Sequence, residues 1–247
     1  MQTVHIHEQA IFYETHGSGD PLVLIHGFAQ VGRDLGLLAR ALATRYSVIL
    51  PDVPGYGRST PPTRSFPQDF YMRDAQLIGA WLAAIQVERA HILGFSDGGE
   101  IALLMPILFP ALCRSVVAWG AVGSFSTDLC DTARKLFIPA MITDDIRAHH
   151  PGQPVESWPA QWAKTFCAIA KAGGDISLRR AGEITCPLLL INGDDDTMNP
   201  VRDGERFIQA VGSAKKQFTV FENTGHALHL EQPSRFLSLV RSFLNNA

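Results

Sequence analysis

Apolar and polar positions along the chain change rhythm repeatedly, and each rhythm predicts an element. From Thr3 to Glu14 the two kinds of side chain alternate one by one, the period of a strand pair at a half-exposed sheet edge. A Gly17-Ser18-Gly19-Asp20 turn follows, and then PLVLIHGF, Pro21 to Phe28, a continuous apolar run of strand length. Such runs are how strands covered on both faces of a parallel sheet read. Between Arg33 and Arg45, Leu35, Leu38, Ala39 and Leu42 recur at helical spacing, and YSVILPD (46–52) is the next covered strand, leading into the glycine-punctuated loop VPGYGRST. A helix over 68–85 carries Ala75, Ile78, Leu82 and Ile85 on one stripe, and AHILGFS supplies another strand. Ile101, Leu104 and Leu108 share the face of the helix after it, where the internal Pro106 predicts a kink or an early stop.

SVVAWGAVG (115–123) predicts a sixth strand, after which the pattern breaks from Ser124 to Thr185 into short helical pieces separated by Pro139, Pro151, Pro154 and Pro159. The sheet rhythm resumes with CPLLLINGD (186–194). A helix is then started by Asn199-Pro200 in the cap and first-turn positions, followed by KQFTVFENTGH and a last helix with Phe236, Leu237, Val240 and Leu244 on its apolar face. Strands alternating with helices imply parallel crossovers. The expectation is one α/β core, residues 1–123 and 186–247, interrupted by a helical insertion at 124–185.

Composition narrows the function. The 247 residues are 46% hydrophobic with a formal net charge of -3, and no Lys/Arg cluster exceeds Lys215-Lys216, which argues against a nucleic-acid partner and leaves a small neutral or cationic molecule open. Cys113, Cys130, Cys167 and Cys186 form no C-x-x-C, and His149-His150 lacks a third ligand at metal spacing, so neither a metal nor another cofactor is expected. Free cysteines, no recognisable leader and no apolar run near the ~20 residues of a membrane span point to a reduced, cytoplasmic setting without a membrane partner. Monomer and homodimer both stay open.

The chemistry gathers where covered strands end. Ser96, in HILGFSDGGE, lies between Gly94 and Gly98 on a strand-to-helix turn, a spacing that lets a nucleophile project without side-chain clashes on either side. His26-Gly27, Asp194 to Asp196 and His226 follow three other covered strands. In an open parallel sheet such ends line one crevice. A serine hydroxyl near neutral pH needs an imidazole to take its proton and an acid to hold that imidazole, and all three residue types converge here.

GFSDGG, DVPGYGRST, INGDDDTMNP and GHALHLEQP together resemble the α/β-hydrolase family over essentially the whole length, the inserted segment matching least. Within it, GFSDGG and VAWGA are most similar to the biphenyl-hydrolase-like, valacyclovir-hydrolase group. The resemblance implies a mostly parallel eight-stranded sheet with helices on both faces and a helical lid after the sixth strand. It implies Ser96 as nucleophile, His226 as base and, from the G-x-x-D spacing after Gly193, Asp196 as the acid, with Asp195 the alternative. The oxyanion donors it implies are the backbone N–H groups of Phe28 and Asp97. It also implies that His26 braces its loop and that Asp52 and Arg58 hold theirs.

Two readings stand at Asp97. A carboxylate in the first turn of a helix is favoured by the macrodipole by ~0.3–1 kcal/mol, and an acid beside the nucleophile would attract an ammonium-bearing substrate. Trp119, at a strand end, is expected to wall the substrate pocket or to be sheet packing. His91 is expected in the core, as are His149, His150, Trp158, Trp162 and Phe166 within the insertion unless they line the lid. The expected protein is a serine hydrolase of small-molecule esters, amino-acid esters included. A carbon-carbon bond hydrolase or perhydrolase on the same residues, or a slow-turnover ligand receptor, are the alternatives.

Overall fold

A computed structural model describes residues 2–6, 8–61 and 63–247; His7, inside the first predicted strand pair, lies outside them. The strands are β1 (Gln2–Ile6), β2 (Gln9–His16), β3 (Asp20–Ile25), β4 (Tyr46–Pro51), β5 (Ala90–Phe95), β6 (Cys113–Trp119), β7 (Leu188–Gly193) and β8 (Lys216–Phe221). They form one sheet in the order β1-β2-β4-β3-β5-β6-β7-β8. β2 pairs antiparallel with β1 and with β4, and every other neighbour is parallel.

Strand alternation sorts the apolar side chains between two layers. Val23 and Ile25 of β3, Ile92 of β5 and Val116 and Ala118 of β6 face α2 (Phe70–Ala84) and α3 (Asp97–Leu108). Leu22 and Leu24, Leu93 and Phe95, and Val117 and Trp119 face the opposite way, toward α1 (Gly36–Leu42) and the C-terminal helix. Each fully covered aliphatic side chain contributes roughly 1.5–3 kcal/mol, so a one-residue slip of a central strand would exchange both layers at once.

The differences from expectation have local causes. α3 runs through Pro106 and ends two residues later, where Phe109 turns to φ -134°, ψ 63°. Pro106 lies in the last turn, so its missing N–H costs one bond near an end that stops anyway. β6 stops at Trp119 rather than Gly123 because Gly120 adopts φ +62° and turns the chain away.

Between β6 and β7 lie α4 (Cys130–Leu136), α5 (Asp144–His149) and α6 (Trp158–Lys171), joined by tight turns at Pro139–Met141 and Val155–Ser157. Thr143 caps α5 by accepting from the Ile146 N–H at 3.3 Å. An antiparallel bridge between Ser124 and Asp175 draws the ends of this excursion together. The chain finishes with α7 (Val201–Ala210), α8 (Leu228–Glu231) and α9 (Pro233–Asn246). No helix among the described residues is long and apolar enough to cross a membrane.

β3 is followed in the chain by β4 on one side and flanked by β5 on the other. At such a reversal of strand order the connections leave in opposite directions and open a crevice beyond the strand ends. His26 and Ser96 follow the two strands that bound it.

Candidate active site

Ser96 is held at φ +55°, ψ -119°, between β5 and the first residue of α3. A non-glycine residue in that region costs of order 1–3 kcal/mol and persists only where the surroundings enforce it. The surroundings here are close. A Cβ on Gly98 would lie 2.3 Å from the Ile25 carbonyl oxygen and 2.5 Å from that of His26, so only glycine lets α3 start against the end of β3.

His226, on the loop after β8, places Nε2 2.9 Å from Ser96 Oγ. Gly120 makes room for its ring: a Cβ there would come within 2.9 Å of His226 Cε1. On the far side of the ring, Nδ1 lies 2.7 Å from Asp196 Oδ2. Asp196 is fixed from behind, because its Oδ1 accepts the N–H groups of Met198 at 2.9 Å and Asn199 at 3.1 Å, while the Asn199 amide donates to Oδ2 at 3.0 Å. Burial pushes this carboxyl up, but the hydrogen bond from His226, its charge and the Asn199 and Met198 donors outweigh that and hold it below the usual carboxylate range. An ionised acceptor at Oδ2 sets the imidazole proton on Nδ1 and leaves Nε2 free to accept from the serine. Asp194 and Asp195, the neighbouring acids, are exposed, and the Asp194 carboxylate accepts the Thr224 N–H.

The loop after β3 presses on the serine, with Gly27 so placed that a Cβ there would be 3.0 Å from Ser96 Cβ. His26 spans it, accepting the Val53 N–H on Nε2 at 2.9 Å and meeting the Gly27 carbonyl through Nδ1 at 2.9 Å. Burial pushes its pKa down to about 3, so it stays neutral and donates from Nδ1. Asp52 fastens the adjoining loop by accepting the Gly32 and Arg58 N–H groups at 2.8 and 3.0 Å. The Phe28 ring leans on Phe66, Phe137 and Trp162. Asp97 opens α3, where the first N–H groups have no intrahelical acceptor.

A cavity of about 290 Å³ opens over Ser96 and His226. Its aromatic wall comes from Tyr71 of α2, Phe125, Phe137, and Trp162 and Phe166 of α6. The Asp97 side chain, 5% exposed, forms part of the floor, accepting the Tyr71 hydroxyl at 2.6 Å and the Trp162 indole N–H at 3.1 Å. Burial pushes its pKa up to about 6 against the pull of Tyr71, Arg64 and Trp162. No Lys or Arg lines the cavity among the described residues.

Trp119 departs from the expectation of a pocket wall. It is fully buried on the opposite face of the sheet, packed between Phe95 and Phe236, with its indole N–H donating to His229 Nδ1 at 3.1 Å. Strand parity decides this, since Ala118 faces α3 and the next residue must face the other layer. His91 is buried, with Nδ1 2.7 Å from Ser115 Oγ. Within the insertion, Trp162 and Phe166 reach the cavity, whereas Trp158 and His150 pack around Tyr56 and His149 meets Asp34.

Tyr71, Glu100 and Asn199 line the cavity without having been singled out from sequence. Glu100 carried a signal, being an acid in an otherwise apolar helix. Asn199 was read as a helix cap, but α7 begins at Val201 with Pro200 before it, freeing the Asn199 side chain for Asp196.

The sequence profile described as the alpha/beta hydrolase family matches residues 22–239. Among curated relatives, the mouse serine hydrolase BPHL is 26% identical over 264 residues, covering 98% of this chain and 83% of its own. The 2-hydroxy-6-oxo-2,4-heptadienoate hydrolase of Pseudomonas putida is 28% identical, covering 92% and 90%. Among solved structures, a bacterial membrane phospholipase A superposes with a TM-score of 0.80 at 24% identity, covering 99% of this chain and 85% of its own. A meta-cleavage product hydrolase from Pseudomonas fluorescens gives 0.75 at 22%, covering 100% and 98%; likeness at these identities concerns the fold. With a strand-to-helix serine turn at the sheet's reversal point and a profile match spanning most of its length, this chain belongs to the alpha/beta hydrolase family.

Proposed function

We propose that the protein is a serine hydrolase that cleaves small-molecule esters through an acyl-enzyme on Ser96, with esters of amino acids its preferred class. The observation that carries the reading is the continuous relay from Ser96 Oγ to His226 Nε2 at 2.9 Å and from His226 Nδ1 to Asp196 Oδ2 at 2.7 Å. As Ser96 Oγ attacks the ester carbonyl, its proton passes to Nε2, and Asp196 stabilises the imidazolium that forms. Charge develops on the carbonyl oxygen, where the backbone N–H groups of Asp97 and Phe28 are the intended donors. When the tetrahedral species collapses, the C–O bond to the leaving alcohol breaks and His226 returns the proton to that oxygen. Water then enters, gives a proton to Nε2 and attacks the acyl carbon. Collapse of this second tetrahedral species breaks the ester bond to Ser96 Oγ, which takes the proton back.

The substrate preference rests on charge. A buried Asp97 carboxyl with aromatic side chains around it, and no Lys or Arg lining the cavity among the described residues, favours an ammonium and opposes a carboxylate. For the same reason a dienoate, the substrate class named for the Pseudomonas putida relative, is disfavoured here. The helices between β6 and β7, which supply Trp162 and Phe166, act as the lid in this reading.

Assaying purified protein with matched aminoacyl, neutral acyl and dienoate substrates tests it. Multiple turnovers of the aminoacyl ester that disappear in Ser96→Ala are expected. Faster turnover of the dienoate overturns the ester assignment, and covalent labelling of Ser96 without turnover overturns the enzyme reading in favour of a receptor.

A further inference from the structure

Asp196 accepts more donors than the relay to Ser96 requires. Its Oδ1 is filled by the backbone N–H groups of Met198 and Asn199, which leaves Oδ2 to face His226. That oxygen is nevertheless shared: the Asn199 amide nitrogen lies 3.0 Å from Oδ2 and 3.3 Å from His226 Nδ1. An amide oxygen turned this way would meet the carboxylate lone pair to lone pair, so the nitrogen faces Oδ2. With the ring proton on Nδ1, the 3.3 Å approach sets donor against donor, and both groups spend a hydrogen on one oxygen.

The fold holds Asn199 in this place. It is 5% exposed and lies ahead of α7, which starts at Val201, so its side chain has no helix end to cap. Asn192, fully buried on β7, donates from its amide to the Asn199 carbonyl at 3.1 Å. A polar side chain within a covered strand is costly unless it is bonded, and here the bond fixes the backbone from which the Asn199 amide projects. A carboxylate oxygen that answers two donors holds each less strongly than it would hold one. The amide also brings the positive end of its dipole toward His226 Nδ1. Both effects reduce the stabilisation that Asp196 gives to an imidazolium.

We propose that Asn199 is a positioning residue of the relay, one that sets through Asp196 Oδ2 how firmly the carboxylate holds the Nδ1 proton of His226. The kinetic consequence rests on the hydrolase reading above; the hydrogen bond between His226 and Asp196 is open to test without it. Removing the Asn199 donor frees Oδ2 for the ring, favours the imidazolium, and so moves the acid limb of the rate profile to higher pH. The other titratable groups around His226 are His229 of α8, which burial and then the charge on His226 push down to about 4, and Tyr71, Asp97, Glu100 and Asp195 along the cavity. None of these bonds to the Asn199 side chain among the described residues, so the substitution leaves them in place.

Asn199→Leu keeps the approximate shape and removes the donor, and Asn199→Asp keeps the shape and turns the donor into an acceptor; thermal melts show which of them is folded. Proton NMR of the free protein reads the Nδ1 proton shared by His226 and Asp196, which should move downfield in either variant as that bond strengthens. With an aryl ester, the acid limb of kcat/KM should rise by about half a pH unit or more, while KM stays within about threefold. An unmoved Nδ1 resonance in a folded variant overturns the proposal. So does a fall in kcat that is uniform across pH with the limb unshifted, the result of a purely structural role, or a rise in KM for one ester class alone, the result of a substrate contact. A shifted Nδ1 resonance in a protein whose parent turns over no ester supports the assignment of Asn199 and overturns the hydrolase reading by itself.

Discussion

Replacing Asp196 with asparagine removes one charge, keeps the shape, and should reverse the polarity of the whole relay. Asp196 Oδ1 accepts two backbone N–H groups, from Met198 at 2.9 Å and Asn199 at 3.1 Å, so an amide must put its oxygen there. Its NH₂ then occupies the place of Oδ2, 2.7 Å from His226 Nδ1 and 3.0 Å from the Asn199 amide nitrogen. Donor meets donor at Asn199, and at His226 the amide can only donate, which drives the ring proton from Nδ1 to Nε2. An Nε2–H 2.9 Å from Ser96 Oγ offers a proton instead of taking one. A wrong tautomer of this kind costs about 10⁴ in kcat, equivalent to about 5 kcal/mol of transition-state stabilisation. Stopped-flow measurement of the acylation burst with an aryl ester, at pH 7 to 8, reads the step directly. A thermal melt shows whether the variant is folded. Acylation by a folded Asp196→Asn within about tenfold of the parent would refute the tautomer argument and the role of Asp196 with it.

Three further outcomes are expected. Trp119→Phe should lower the melting temperature, because His229 Nδ1 loses its buried donor at a cost of about 1–3 kcal/mol; KM for any ester should stay unchanged, and a selective rise for one ester class would return Trp119 to the pocket. Gly98→Ala must push the Ile25 and His26 carbonyls off the serine turn, so circular dichroism melts should show destabilisation of at least about 2 kcal/mol together with lost esterase activity, and an unperturbed melt would contradict the close approach. Because burial raises the folded-state pKa of Glu100 from 4.5 to about 7, its contribution to stability is full below pH 4.5 and is lost as pH rises through 7. Urea melts should therefore lose about 3 kcal/mol from this group between pH 4.5 and 8, and Glu100→Gln should flatten the curve by that amount; parallel curves for the two proteins would show that Glu100 does not titrate as argued.

Different parts of the molecule were legible in the sequence to different depths. The covered strands were readable because burial on both faces leaves a mark in consecutive residues, as in LVLI of β3 and LLLI of β7. Strand ends were less so: β3 stops at Ile25 and β6 at Trp119, each a few residues before its apolar run does, because exit from the sheet depends on backbone angles such as that of Gly120. Asp195 and Asp196 carry the same side chain at adjacent positions. The family's G-x-x-D spacing favours Asp196, and the turn that buries it while exposing Asp195 separates the two physically. Tyr71 gave no signal, since a tyrosine on the covered face of α2 reads as core until Asp97 is found opposite its hydroxyl.

By itself the sequence determined what depends on neighbours in the chain: the alternation of strands with helices, the small-residue turn that can hold Ser96, and the chain order of serine, aspartate and histidine. Tertiary structure decided what depends on residues far apart: that His226 stands between Ser96 and Asp196, that Trp119 faces away from the cavity, and that Asp97 and Glu100 share a cavity that no Lys or Arg lines among the described residues. The reason is physical. Periodicity and turn geometry are short-range, whereas distance, burial and charge compensation between remote residues arise only when the sheet brings its strand ends together.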